Sequence, residues 1–451
     1  MKRLIGTFVA GALTLTGLAT TATASAPAAS TGSAAAAAAP SSGTFNVLAY
    51  NVAGLPEGLS SGKPAKNTPL ISPRLGAYDI VNVQEDFNYH AALYAGDNHP
   101  HRTATSGGVP FGDGLNTLSD YWFDDFQRVK WNKCTGTNCL TPKGFSLARV
   151  RLAEGVFVDL YNVHTNADSD DAALAARRAN ISQLSDFIKA NSAGNAVIVM
   201  GDTNTRYTRA GDNIRTLVNE NGLSDPWVDL IRGGNAPAQG SEALVCPEKE
   251  PTNDCEVVDK ILYRGSDLVD LDATRYNNDW SKFLDEAGGN LSDHFPHTVD
   301  FSWKLPSNLR ASDTFGGPHG TAFNDADDLP ATPAPRTLTL RGASRLDGVS
   351  LTHDGATASL THGGTGGTAT SLNLAADEHL TSVKLTSGQR NGHTRIFSAA
   401  FTTDNSRTVS AGSPTSNTVT YTAPAGWQIV GFTGRAGTEI DKLGVLYAPI
   451  R

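Results

Sequence analysis

Six stretches of this chain end or interrupt an apolar run with a side chain able to do chemistry. Asn51 closes Val47-Leu48-Ala49-Tyr50, Glu85 closes Ile80-Val81-Asn82-Val83-Gln84, and His164 closes Leu160-Tyr161-Asn162-Val163. Asp202 and Asn204 follow Val197-Ile198-Val199-Met200-Gly201. Asp259 lies within Val257-Val258-Asp259-Lys260-Ile261, and Asp293-His294 stand just before an aromatic run at 295–303. Carboxylate and amide oxygens (Glu85, Asn51, Asp202, Asn204) are hard ligands that suit Mg²⁺, with Ca²⁺ or Mn²⁺ as alternatives, and not Zn²⁺. Two histidines without cysteine partners suit the roles of acid, base or phosphate donor. A carboxylate beside a histidine sets its tautomer, and the reading pairs Asp259 with His164 and Asp293 with His294. A hard cation on a phosphoryl oxygen, with a histidine activating water, is metal-assisted phosphodiester hydrolysis. Each residue alone has an ordinary alternative, such as an Asx-turn at Asp202-Thr203-Asn204. Six together, each beside an apolar run, are hard to assign to chance.

Such residues need strands whose ends meet, because strand ends and the loops beyond them project side chains into one pocket. Strands are expected at 45–52, 79–84, 114–118, 146–152, 157–163, 195–200, 257–263 and 298–303. A helix is expected over 170–190: Ser169, Asp170 and Asp171 suit its start, and Leu174, Ile181, Leu184 and Ile188 share a face. Strands with interleaved helices make a mixed α/β domain. From about residue 313 the sequence turns Thr-, Gly- and Ser-rich, with short alternating runs and no helix signal, which reads as all-β.

Before both lies Lys2-Arg3, an uncharged apolar stretch and Ala22-Thr23-Ala24, the pattern of a cleaved secretory leader over 1–24. An Ala/Ser-rich tether over 25–43 follows. The expected organisation is then a catalytic domain at 44–305, a linker at 306–312 and a second domain at 313–451, secreted to the extracellular space. Cys134, Cys139, Cys246 and Cys255 lack zinc-ligand spacing. In an oxidising compartment the local pairs Cys134–Cys139 and Cys246–Cys255 are the natural choice among three connectivities.

Lys plus Arg number 36 against 45 Asp plus Glu, a net charge of −9, and all but one unit of it lies in residues 1–312. Proteins that track a phosphate backbone need clustered cations, so a nucleic-acid partner is the lesser alternative. Nothing in the sequence calls for an obligate protein partner.

In order and context, the stretches around Asn51, Glu85, His164, Asp202, Asn204, Asp259 and Ser292-Asp293-His294 resemble the endonuclease/exonuclease/phosphatase superfamily of deoxyribonuclease-like phosphoesterases. The resemblance implies an α/β four-layer α/β/β/α sandwich. It implies Glu85 as main Mg²⁺ ligand with Asn51 beside it, and His294 as general base oriented by Asp293. It further implies His164, Asp259 and Asn204 around the phosphate, and Asp202 placing the water. Gly112-Asp113-Gly114-Leu115-Asn116-Thr117-Leu118-Ser119 and Lys143-Gly144-Phe145 resemble secreted sphingomyelinases of the phospholipase C type. A phospholipid or sphingolipid at a membrane surface is then the expected substrate, with secreted nuclease or another phosphoesterase as alternatives. Tyr121-Trp122-Phe123 and Trp131 read equally as a membrane anchor or as core.

The C-terminal part resembles jacalin-like lectins, through Phe315-Gly316-Gly317-Pro318-His319-Gly320 and through Gly437-Thr438-Glu439-Ile440-Asp441. The resemblance implies a β-prism of three sheets that binds cell-surface glycans. Asp441 would accept from sugar hydroxyls, beside the backbone of Gly317, Gly437, Thr438, Glu439 and Ile440.

Overall fold

The computed structural model describes residues 40–60, 62–107 and 112–451. The expected leader and most of the expected tether lie outside these residues. Ser42 and Gly43, placed at the end of that tether, already belong to a strand, Ser42–Asn51, because they pair with Lys304 and Trp303.

That strand is central in a six-stranded sheet ordered Asp270–Asn278, His297–Lys304, Ser42–Asn51, Ile80–Gln84, Asn116–Ser119, His101–Arg102. Its side chains alternate as a strand between two layers must. Phe45, Val47 and Ala49 enter the central core, while Leu48, Tyr50 and Val52 face outward onto the helix Pro64–Leu75 with Ile71 and Leu75. A second sheet runs Phe123–Lys130, Gly144–Ala153, Val156–His164, Ala196–Asp202, Asp259–Arg264. Its outer face is covered by the helices Asp171–Asn191 and Ile214–Glu220 through Ile181, Leu184, Ile188 and Leu217. Asp170 caps the longer helix by accepting from the Ala172 and Ala173 N–H groups, an arrangement that contributes about 1 kcal/mol. The result is the α/β/β/α sandwich expected from the sequence.

A polar seam joins the two sheets near the ends that carry the site residues. Gln84 Nε2 donates to Asn162 Oδ1 (2.8 Å), and Asn162 Nδ2 donates to Val83 O (3.0 Å). Buried amides paired across the seam this way fix one register between sheets that apolar contact alone would let slide.

The C-terminal part is a β-prism. Its three sheets run Leu360–Gly363, Leu346–His353, Pro335–Gly342, Thr368–Asn373; then Thr408–Gly412, His393–Thr403, Leu380–Arg390, Asn417–Thr422; then Arg310–Ala311, Ile440–Pro449, Trp427–Ala436, Thr321–Asn324. Leu338, Leu351, Leu385, Ile396, Phe401, Phe432 and Leu443 are among the side chains filling the space between them. Residues 306–312, expected as a linker, contribute a strand, Arg310–Ala311, to the third sheet, and Leu309 is buried. The prism packs directly on the sandwich: Val430, Leu446 and Ala448 share one core with Trp303, Leu268 and Val269. Around that apolar contact Lys442 reaches Asp124 and Asp125, and Arg151 pairs with Asp313 at 2.8 Å.

Candidate active site

Strand register brings the site together. His164 lies opposite Asp202 across one parallel pair of strands, and Asp202 opposite Asp259 across the next, antiparallel pair. The three side chains therefore stand abreast at one sheet edge. Gly201 makes this possible, since an added Cβ there would stand 2.3 Å from Val163 O and φ is +140°. From the other sheet, Asn51 Nδ2 donates to Asp202 Oδ2 (3.2 Å), and Ser292 Oγ donates to Asn51 O (2.7 Å). That second bond ties the loop carrying His294 to the strand carrying Asn51.

His294 does not take Asp293 as its orienting partner. Its Nδ1 lies 2.9 Å from Asp259 Oδ2, and its Nε2 lies 3.7 Å from Asp202 Oδ2. Burial disfavours imidazolium here, but the charges of Asp259 and Asp202, the Asp259 hydrogen bond and finally Asp293 outweigh it. Together they hold His294 well above the ordinary imidazole value. The expected Asp259–His164 pair is likewise absent. Register sets Asp202 between them, so His164 Nε2 meets Asp202 Oδ2 at 3.3 Å and Lys143 Nζ at 3.0 Å. Burial and the Lys143 charge push His164 down to about 3, so it is neutral at physiological pH. The carboxylate–histidine pairing inferred from sequence is thus corrected at both histidines.

Glu85 faces the same pocket, with Oε1 3.9 Å from His164 Nε2. Burial raises its carboxyl above the usual range, against the opposing pull of Lys143. Glu85 and Asn204 both adopt left-handed backbone (φ +58° and +50°), which costs a non-glycine residue about 1 kcal/mol or more and is typical of functional turns. Asn204 N donates to Asp202 Oδ1 at 2.9 Å, so the Asx-turn considered from sequence is present and aims the site residues.

Hard-cation ligation fits this donor set. Glu85 brings a carboxylate beside Asn51, whose amide oxygen accepts from the Ala53 N–H (3.0 Å) with room for a second contact, and burial penalises the Glu85 carboxylate in a way a cation relieves. Donor atoms of Asp202, Asp259 and His294 also lie within 4.8 Å of one another, making a second group able to contact a cation.

Lys143 is the residue that sequence reasoning placed in a pattern without giving it a role. Burial lowers its ammonium pKa despite Glu85, Asp202 and Asp168, and it donates to both His164 and Asn138. Its signal was the Lys-Gly dipeptide that opens the strand Gly144–Ala153. The aromatic group resolves mainly to core: Trp131 is buried with Nε1 donating to His164 O (2.7 Å), and Tyr121 and Phe123 pack on that core. Trp122 is half exposed. Both expected disulfides, Cys134–Cys139 and Cys246–Cys255, are present.

In the prism, Gly317 N donates to Asp441 O (2.8 Å) and Gly437 N to Glu439 O (3.0 Å), so the two expected loops meet. Gly316 is required there, since a Cβ would stand 2.2 Å from Asp441 O. Ile440 is buried, while Gly437 and Thr438 are exposed. The Asp441 carboxylate, expected to be an open acceptor, is buried and ion-paired with Arg395.

The family model described as Endonuclease/Exonuclease/phosphatase family 2 matches residues 67–300. The chain belongs to the endonuclease/exonuclease/phosphatase family. A second model, described as Jacalin-like lectin domain, matches residues 312–446, so this family's catalytic fold is joined here to a jacalin-like lectin domain. A sphingomyelinase of Mycobacterium tuberculosis is 41% identical over 271 residues, covering 58% of this chain and 53% of that protein. The chain thus spans about half the length of the curated relatives it matches. Among solved structures, sphingomyelinase C from Streptomyces griseocarneus aligns at 18% identity over 57% of this chain and 99% of that one, with a TM-score of 0.40. Wild-type Malaysian banana lectin aligns at 26% identity over 31% of this chain and 98% of that one, with a TM-score of 0.28.

Proposed function

We propose that this chain is a secreted phosphodiesterase that cleaves the headgroup phosphodiester of sphingomyelin, and that its lectin domain holds it at glycan-bearing surfaces. One observation carries the lipid reading. The polar cluster opens at Glu85 and Lys143 into a cavity of about 300 Å³ whose other walls include Leu55, Pro56, Leu59, Phe87 and Leu140. Leu59 and Leu140 are 74% and 70% exposed and line the same cavity as Leu55, Pro56 and Phe87, so the apolar surface is contiguous, and contiguity rather than single exposed side chains marks a binding surface. A substrate with a phosphodiester at one end and hydrocarbon at the other matches both surfaces; a nucleic acid matches only the first. The name of the mycobacterial relative supports sphingomyelin within the lipid class. The sequence pattern of residues 1–24 and two disulfides support secretion.

Mg²⁺ held by Glu85 and Asn51 would supply Lewis-acid polarisation of the phosphoryl oxygen. The chain's own side chains do the rest. With Nδ1 held by Asp259, His294 in its deprotonated form presents Nε2 to a water and takes its proton as the water oxygen bonds to phosphorus; the carboxylates that raise its pKa make that form scarcer as pH falls and a stronger base when present. Asp202, 3.7 Å from that Nε2, fixes where the water sits. Lys143 and the Asn204 amide offer donors to the phosphate oxygens, and neutral His164, accepting at Nε2 from Lys143, holds that ammonium in place. The P–O bond to ceramide breaks, the departing oxygen takes a proton from solvent, and His294 returns its own to solvent, leaving ceramide and phosphocholine.

The test is a substrate comparison. Purified protein with Mg²⁺ is given sphingomyelin vesicles and, separately, supercoiled plasmid DNA. Phosphocholine release with intact plasmid is expected; nicked plasmid with intact lipid would overturn the proposal.

A further inference from the structure

We infer that the sugar-loop end of the β-prism takes an acidic glycan, one bearing carboxylate or sulfate, in preference to a neutral hexose. The inference rests on the reading of this domain as a glycan binder and narrows it. Both carboxylates of the loop are already engaged. Glu439 is met by Arg345 at 2.7 Å and by Arg395 at 3.2 Å, and Asp441 is paired with the same Arg395. The Asp441 side chain is only 2% exposed, so a neutral sugar hydroxyl does not find the open acceptor it requires.

The groups left facing solvent at this mouth are cationic or able to become so. Arg390, at the end of the strand Leu380–Arg390, is exposed and has no ion-pair partner within 4 Å among the described residues. It is still close enough that its charge helps to lower the Glu439 pKa. Across from it, His319 and His393 stack with ring centroids 3.9 Å apart and planes 15° from parallel. Arg435 donates to the carbonyls of His319 and Gly320, fixing that loop from beneath. Slight burial, then the neighbouring His393, Arg395 and Arg435, hold His319 below the ordinary imidazole value. Asp347 adds negative charge beside Arg345, which leaves Arg390 as the exposed guanidinium of this mouth without an ion-pair partner among the described residues. Guanidinium forks match carboxylate and sulfate oxygens two at a time. Because the whole chain carries −9, unspecific attraction of polyanions is disfavoured, and binding would need this local surface.

The test is calorimetric titration of the full chain with methyl α-mannoside, methyl α-galactoside and a sulfated, uronate-containing heparin tetrasaccharide. The tetrasaccharide is expected to bind at least tenfold tighter than either hexoside, and to weaken as NaCl rises from 50 to 300 mM. Arg390→Ala combined with His393→Ala should cost tenfold or more, with the circular dichroism spectrum and thermal midpoint checked for a native fold. A neutral hexoside binding tighter than the tetrasaccharide overturns the acidic-glycan inference and leaves the glycan-binding reading standing. Unchanged tetrasaccharide affinity in the folded double variant also overturns it. A folded wild type retained by no member of a broad glycan array, neutral or acidic, removes the glycan-binding reading itself.

Discussion

In the sandwich, Glu85, Asp202 and Asp259 face two imidazoles and one buried ammonium. In the prism, Glu439 and Asp441 face guanidinium groups. The difference is one of proton chemistry. Guanidinium is charged at any accessible pH, so the prism cluster can hold and recognise but not transfer a proton. The sandwich cluster contains one histidine held neutral and another driven toward its protonated form, 3.3 and 3.7 Å from a shared carboxylate oxygen on Asp202. Groups whose environments push their pKa values apart are those that divide acid and base roles. On the proposed function, chemistry belongs to the first region and recognition to the second.

The largest effects should come from removing chemistry without touching recognition. Glu85→Gln and His294→Ala are each expected to lower lipid turnover by about 10²–10⁴-fold, with circular dichroism and glycan retention as in wild type. Turnover within threefold of wild type in either variant would break the division of roles.

Next comes the joint between the regions. Lys442 follows the sugar-loop Asp441 directly, yet its ammonium enters the sandwich and reaches Asp125 at 2.7 Å. Lys442→Met leaves Asp124 and Asp125 with only Arg149 and Arg435 near Asp125, at 3.6 and 3.7 Å. Stranding a buried carboxylate costs about 3–5 kcal/mol, and those arginines place the loss near the lower end. Urea denaturation should show it as one cooperative transition shifted to lower concentration, because the two regions share a core. An unshifted midpoint would mean that the joint contributes nothing.

How much of this was legible beforehand varies with the kind of information. Asn51, Glu85, His164 and Asp202 stand at the strand ends where alternating apolar runs put them, and the expected helix over 170–190 is Asp171–Asn191. The helix Pro64–Leu75 was not legible: it holds Pro69 and Pro73, and no acidic residue marks its first turn. The strand Phe123–Lys130 was hidden by Asp124 and Asp125, which are charged because they serve the joint with the prism, and by an irregularity in its pairing. The histidine partners were misassigned because the choice depends on strand register, which a single sequence does not reveal. Arg395 was missed for a similar reason: it lies far from the sugar loop in sequence and meets it only through the prism's sheet order.

Smaller, graded effects separate the regions by pH. His164 and His297 are both pushed down to about 3, chiefly by burial, so the folded sandwich leaves them neutral while the unfolded chain protonates them below about 6.5. The unfolded state then binds more protons, so these residues remove stability as pH falls from 6.5 toward 3. Hydrogen-exchange protection factors, corrected for the slower intrinsic exchange at lower pH, should fall in the strands around His164 and His297 between pH 7 and 5 before they fall in the prism core. Earlier loss of protection in the prism would contradict this. The smallest change concerns the pH profile alone. Since Asp259 is the first of the charges that raise His294, Asp259→Asn should move the acid limb of the residual turnover to lower pH. An unmoved limb would assign it to another group.

The central claim is that the paired-histidine cluster hydrolyses a lipid phosphodiester. It is tested most directly by ³¹P NMR of sphingomyelin vesicles incubated with wild type and with His294→Ala, each with Mg²⁺ and with excess chelator. The account predicts a growing phosphocholine signal for wild type with Mg²⁺ and none under the other three conditions. Phosphocholine produced equally by His294→Ala, or no phosphocholine from folded wild type with Mg²⁺, would contradict it.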